Sequence, residues 1–106
     1  MIVSTTKIQE AIDLEYDNAI SKGMYNSHHE AYAVTKEELE EALAEIDKCI
    51  AAMTGAWENV KLDAPASVCM FVRNFRNYSQ KAAEELCQVA ACCEKWLNYY
   101  AGGSDE

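Results

Sequence analysis

Apolar residues recur along most of the chain at three- and four-residue spacing, the period of helices that bury one face. Ile8, Ile12, Tyr16, Ala19 and Ile20 keep that spacing behind Thr6-x-x-Gln9, which reads as a capping box. Lys22-Gly23 offers a terminal charge and a left-handed cap. A second helix opens at Ser27-x-x-Glu30, and no Gly or Pro interrupts it before Gly55. Its apolar stripe is Tyr32, Leu39, Leu43, Ile46, Ile50 and Met53, on a rod about 40 Å long. Residues 55–64 predict a connection held to the core by Trp57, Val60 and Leu62, with Asp63 capping the next helix and Pro65 in its first turn. Ala66 to Ala101 again lacks Gly and Pro, and Asn77-x-x-Gln80 predicts a fresh start within it, one bent helix being the alternative.

No segment alternates apolar and polar residues over five positions, so strands are not expected. The pattern therefore predicts an all-α, four-helix bundle-like single domain over residues 1–101, followed by a frayed tail at 102–106. Helices are expected near 6–22, 28–54, 65–77 and 78–101. Their central contact is expected from Leu39, Leu43, Ile46, Ile50, Leu86, Val89, Cys93 and Leu97.

Composition narrows the class. Half of the 106 residues are apolar and only five are Gly or Pro, which excludes disordered and collagen-like chains. No apolar run approaches the ~20 residues of a membrane span. Met1-Ile2-Val3-Ser4 lacks the charged lead and long apolar stretch of a signal peptide, so a cytoplasmic location is expected. The five cysteines form no C-x-x-C and have no zinc-like spacing to either His. They read as reduced thiols, with Cys69 and Cys93 serving as small apolar residues.

The net charge of −9 argues against direct binding to nucleic acid or an anionic membrane. The charge is uneven: residues 61–83 carry one acid and four bases, between flanks rich in acids. Arg73, Arg76 and Lys81 in that middle segment are candidate phosphate contacts, although pairing with the acidic helices would also account for the arginines.

The acids crowd one flank of the second helix. With Leu39 as the centre of a buried face and about 100° per residue, Glu38, Glu41 and Glu45 share the flank beside it. Glu37–Glu41 and Glu41–Glu45 are like-charged at i,i+4, each costing roughly 0.2–0.5 kcal/mol. A hard divalent cation would relieve that crowding, whereas a solvated acidic face would merely tolerate it. Glu84-Glu85-Leu86-Cys87-Gln88 echoes Glu37-Glu38-Leu39-Glu40-Glu41, and Glu85 and Gln88 fall at the same angles from Leu86 as Glu38 and Glu41 do from Leu39. Antiparallel packing of the two segments would bring all four to one edge of a cleft.

Glu37-Glu38-x-x-Glu41 followed by Glu85-x-x-Gln88 resembles the E-E-x-x-E … E-x-x-D signature of the MazG-like, all-α NTP pyrophosphohydrolases. The run from Ser27 to Val34 ahead of the first half-motif, and Gln88-Val89-Ala90-Ala91 in the second, are similar to small phage- and prophage-encoded members. The likeness covers residues 25–45 and 82–98. It implies a helical bundle that binds Mg²⁺ and splits a nucleoside triphosphate into monophosphate and pyrophosphate, often with an oligomer completing the site. Carried over by position, Glu38, Glu41 and Glu85 would hold the metal with Gln88, and Glu37 or Glu45 would orient the water.

Two departures stand out. Gln88 occupies the place of the motif's Asp, which removes one anionic ligand, and 43 residues separate Glu41 from Glu85, more than the family usually has. The competing expectation is a non-catalytic acidic helical module, either a phage inhibitor that mimics nucleic-acid charge toward a protein partner or an oligomeric adaptor. Of the remaining residues, His28 and His29 are expected as neutral residues of a capping region or interface, and Tyr32 as mostly structural. Tyr16 and Tyr25 are candidate stacking partners for a base. Trp96, Leu97, Tyr99 and Tyr100 form an apolar end of the last helix, suited to the core or to a homo-oligomer contact.

Overall fold

The computed structural model describes residues 5–103, so the readings placed on Met1–Ser4 and on the last three residues lie outside it. The described chain is all-α, with α1 at Thr5–Ile20, α2 at His28–Lys61 and α3 at Pro65–Gly103. It divides into two compact units, one of residues 1–39 with 85–106 and one of residues 40–84. α2 and α3 run through both units, and α1 belongs to the first.

Three helices stand where four were expected, because α3 continues through Asn77 as one helix, and the connection expected over 55–64 shortens to the residues between Lys61 and Pro65. Gly55 lies inside α2, where its missing side chain makes room for a ring: a Cβ there would fall 2.6 Å from Phe71 Cδ1 and 2.8 Å from Phe71 Cζ. The stop comes at Asp63, which adopts the left-handed conformation at φ 54°. The Asp63 amide donates to Val60 O and the Ala64 amide to Asn59 O, the paired bonds of a Schellman cap. Asp63 therefore ends α2 rather than capping α3. Ala64 takes the cap position, its carbonyl accepting from the Val68 amide, and Pro65 follows as the first helical residue. Asn77 starts nothing, and α3 runs on to include Gly102 and Gly103 of the expected tail.

Other termini follow the sequence more closely. Ser27 Oγ accepts from the Glu30 amide at 3.0 Å, and the Glu30 carboxylate reaches back to the Asn26 amide, one residue earlier than a standard capping box. Gly23 has φ 97° beyond the end of α1, as its left-handed role requires. Thr6 lies within α1, and Gln9 turns forward to donate to Asp13 rather than back toward Thr6.

The packing faces depart most from expectation. In α2 the buried and half-buried positions alternate at four and three residues, from Ala31 through Glu38, Ala42, Glu45, Cys49 and Ala52 to Asn59. In α3 they run from Val68 through Phe71, Phe75, Tyr78, Ala82, Glu85, Cys92 and Trp96 to Tyr99. This is a seven-residue repeat, and it lies one residue before the leucine stripe on both helices. Leu39, Leu43, Ile50, Leu86 and Leu97 are accordingly exposed, Leu97 at 64%, and so are Cys93 and Tyr32. The expected leucine contact is not formed; Ile46 and Val89 alone of that set are half-buried. Small residues on the inner face let helices approach closely, and Ala31, Ala42, Ala52, Ala82 and Ala91 are all buried.

In the first unit, α1 is tied to α3 by Lys95 Nζ, which donates to Ala19 O at 3.0 Å, and by Asn98 Nδ2, which donates to Tyr16 Oη. Trp96 Nε1 donates to His28 Nδ1 at 2.9 Å, joining the start of α2 to the end of α3. His28 is thus an acceptor at Nδ1 and a structural contact.

Candidate functional site

The one-residue offset carries acids into the packing face. Glu38 on α2 and Glu85 on α3 both stand on the inner repeat, and Glu85 is 6% exposed. Glu41 follows one turn after Glu38 at an exposed position. One carboxylate oxygen from each of Glu38, Glu41 and Glu85 lies within 4.8 Å of the other two. Such close carboxylates repel one another unless a proton, a hydrogen-bond donor or a cation lies between them.

Gln88, one turn after Glu85, faces the same acids. With its amide nitrogen inward it donates to Glu38 Oε1 at 2.8 Å and to Glu85 Oε1 at 3.2 Å. With the amide turned over, its oxygen joins the carboxylate oxygens as a further donor to a cation. Three carboxylates and an amide oxygen are hard donors, the chemistry that Mg²⁺ or Ca²⁺ prefers over softer metals. The donor set therefore fits the metal that the resemblance implies.

Other sequence candidates take different places. Glu45 is half-buried and pairs with Lys48 at 3.2 Å. Glu37 is exposed on α2. Arg73 and Arg76 are exposed in the second unit and form no ion pair among the described residues, while Lys81 lies 3.9 Å from Glu84. None of the three lines the cleft that Glu38 and Gln88 enter.

That cleft lies within the first unit, has a volume of about 320 Å³ and is walled by α1, α2 and α3. Glu38 and Gln88 line it, together with Tyr25, Cys92, Lys22 and Lys95. Burial is the main cause that pushes the Tyr25 hydroxyl up to about 12, and the same cause raises the Cys92 thiol. Cys92 is therefore a neutral thiol and not a poised nucleophile. All five cysteines are free; Cys92 is buried, whereas Cys69 and Cys93 are exposed rather than packed.

Sequence reasoning passed over Lys95. It is the sole base between residues 84 and 106, and it follows Gln88 by seven residues, two turns along the same face. That spacing was the available signal. Comparison with protein-family models, curated proteins and solved structures finds no match. The likeness to the MazG-like enzymes therefore stands on the motif residues themselves. No helix among the described residues is long and apolar enough to cross a membrane.

Proposed function

We propose that the chain is a Mg²⁺-dependent nucleoside triphosphate pyrophosphohydrolase of the MazG-like kind, yielding monophosphate and pyrophosphate. The observation that carries the proposal is the convergence of Glu38, Glu41 and Glu85, with the Gln88 amide against two of them. Bound Mg²⁺ would supply charge neutralisation at phosphate oxygens and a more acidic water. Glu38, Glu41 and Glu85 are the residues to hold it, with Gln88 turning its oxygen inward as it binds. Glu37, one turn before Glu41, is the carboxylate left to accept a proton from water, because Glu45 is engaged by Lys48. Open space beside Glu38 and Gln88 provides room for the nucleotide.

Mg²⁺-dependent release of pyrophosphate from nucleoside triphosphates tests this reading. Glu85→Gln is expected to abolish it with helicity unchanged. Turnover without added divalent cation, or unaltered turnover in Glu85→Gln, would overturn it. The neutral Gln88 in place of an acid favours a second reading, a non-catalytic acidic module, which predicts no pyrophosphate release from any nucleotide.

Self-association belongs to the same proposal. The exposed leucine stripes of α2 and α3 support it, since a second copy of this chain offers matching apolar stripes.

A further inference from the structure

We propose that Lys95 is the phosphate-contacting residue of the first unit's cleft, taking an oxygen of the ligand's phosphate chain. This rests on the reading that the cleft receives a metal-bound nucleotide. Lys95 is 7% exposed, yet no carboxylate pairs with it among the described residues. Its ammonium donates to one neutral carbonyl, Ala19 O, and lies 4.4 Å from the centre of the Tyr25 ring. An ammonium has three N–H groups, so these contacts leave donor capacity on a group that lines the cleft. Burying a cation against a carbonyl and a ring is costly if docking α1 is the whole purpose, because an apolar side chain of the same length would serve at less cost.

A second observation points the same way. Tyr25, 6% exposed, lines the cleft beside Lys95, with its hydroxyl turned inward toward Cys92 and Thr35. Its ring face holds the ammonium at the cleft wall without neutralising it, so the charge stays available to an oxyanion. Acidic and basic groups then divide the work. Glu38 and Gln88 would face the metal, and Lys95 would face phosphate charge that the metal leaves uncovered. The ammonium is preorganised by its two protein contacts, so little freedom is lost when a ligand arrives.

Calorimetric binding of inorganic pyrophosphate, with and without Mg²⁺, tests the proposal on the full chain. Lys95→Met should weaken pyrophosphate binding at least about tenfold, the loss of one charge-assisted hydrogen bond, while Mg²⁺ alone binds as well as before. Lys95→Arg should restore most of the affinity. Should Lys95→Met fail to fold, Lys95→Gln gives the independent measure: at least about tenfold weaker pyrophosphate binding at wild-type helicity. Pyrophosphate binding equal to wild type in Lys95→Met, or in Lys95→Gln where that is the folded variant, overturns the assignment. So does a wild-type chain that binds no pyrophosphate in either condition. Lys95-dependent pyrophosphate binding in a chain that binds no Mg²⁺ would instead remove the metal centre and leave the phosphate contact standing.

Discussion

Gln88 is the residue on which the metal-free and metal-bound states of the proposed site turn. Its amide nitrogen can bridge Glu38 and Glu85, which stabilises the acids without a metal, at the cost of an oxygen ligand when a metal binds. Gln88→Asp removes both hydrogen bonds and adds a carboxylate to three others. Its melting temperature without divalent ions should fall, and its Mg²⁺ affinity should rise several-fold. Calorimetry and thermal melts with and without Mg²⁺ read both effects; a variant more stable than wild type in chelator would refute the bridging role.

Tyr25 gives a prediction in pH. Its hydroxyl ionises near the ordinary 10 in the unfolded chain and near 12 in the folded one, chiefly through burial. Between those values the folded state keeps a proton that the unfolded state has lost. The Tyr25 contribution to stability is therefore constant below pH 10, is lost as pH rises through that window and levels off above it. Tyrosinate absorbance should show a late phase near pH 12 that Tyr25→Phe removes while the fold persists. Absence of that Tyr25-dependent phase in a folded sample would contradict it.

At the scale of elements, Gly55 sets intrinsic propensity against packing. Alanine is favoured over glycine in a helix interior by about 1 kcal/mol, and a chain shaped by propensity alone would gain from Gly55→Ala. The added Cβ would meet the Phe71 ring well inside contact distance, and overpacking of this kind costs about 1–3 kcal/mol. Net destabilisation is expected by denaturant unfolding, and it should shrink in the Gly55→Ala, Phe71→Leu double variant. Stabilisation by Gly55→Ala in the wild-type background would mean the ring yields freely.

For the whole molecule, the exposed leucine stripes lead to a prediction about the state in solution. A core made of alanines, Tyr25 and Cys92, with no large side chain fully buried among the described residues, leaves much of the apolar content on the surface. Light scattering at high protein concentration is expected to find an oligomer. Ile50→Glu and Leu97→Glu should shift it toward monomer, because both residues lie on the outward stripe. Leu43→Ala, expected from the sequence to cost a buried leucine's 2–5 kcal/mol, should instead act mainly through association and depend on protein concentration. A wild-type monomer at all concentrations would leave the stripes without a partner.

The local features legible in the sequence were those fixed by neighbours along the chain. The all-α class, the Ser27 cap, the Gly23 turn, Pro65 in a first turn and the equal angular setting of Glu38 and Glu85 all follow from helix geometry and short-range hydrogen bonds. Periodicity locates an apolar stripe but does not say which partner covers it. The periodicity points to the leucine stripe as the intramolecular face, whereas α2 and α3 pack one residue away, through alanines and acids. Equal offsets from the leucines carried Glu38 and Glu85 together even so, since both helices rotate by the same step. The Gly55 interior, the end of α2 at Asp63 and the burial of Lys95 depended on Phe71, on a left-handed backbone and on Ala19 with Tyr25. Packing and backbone conformation of that kind have no period along the chain, and only the tertiary structure decided them.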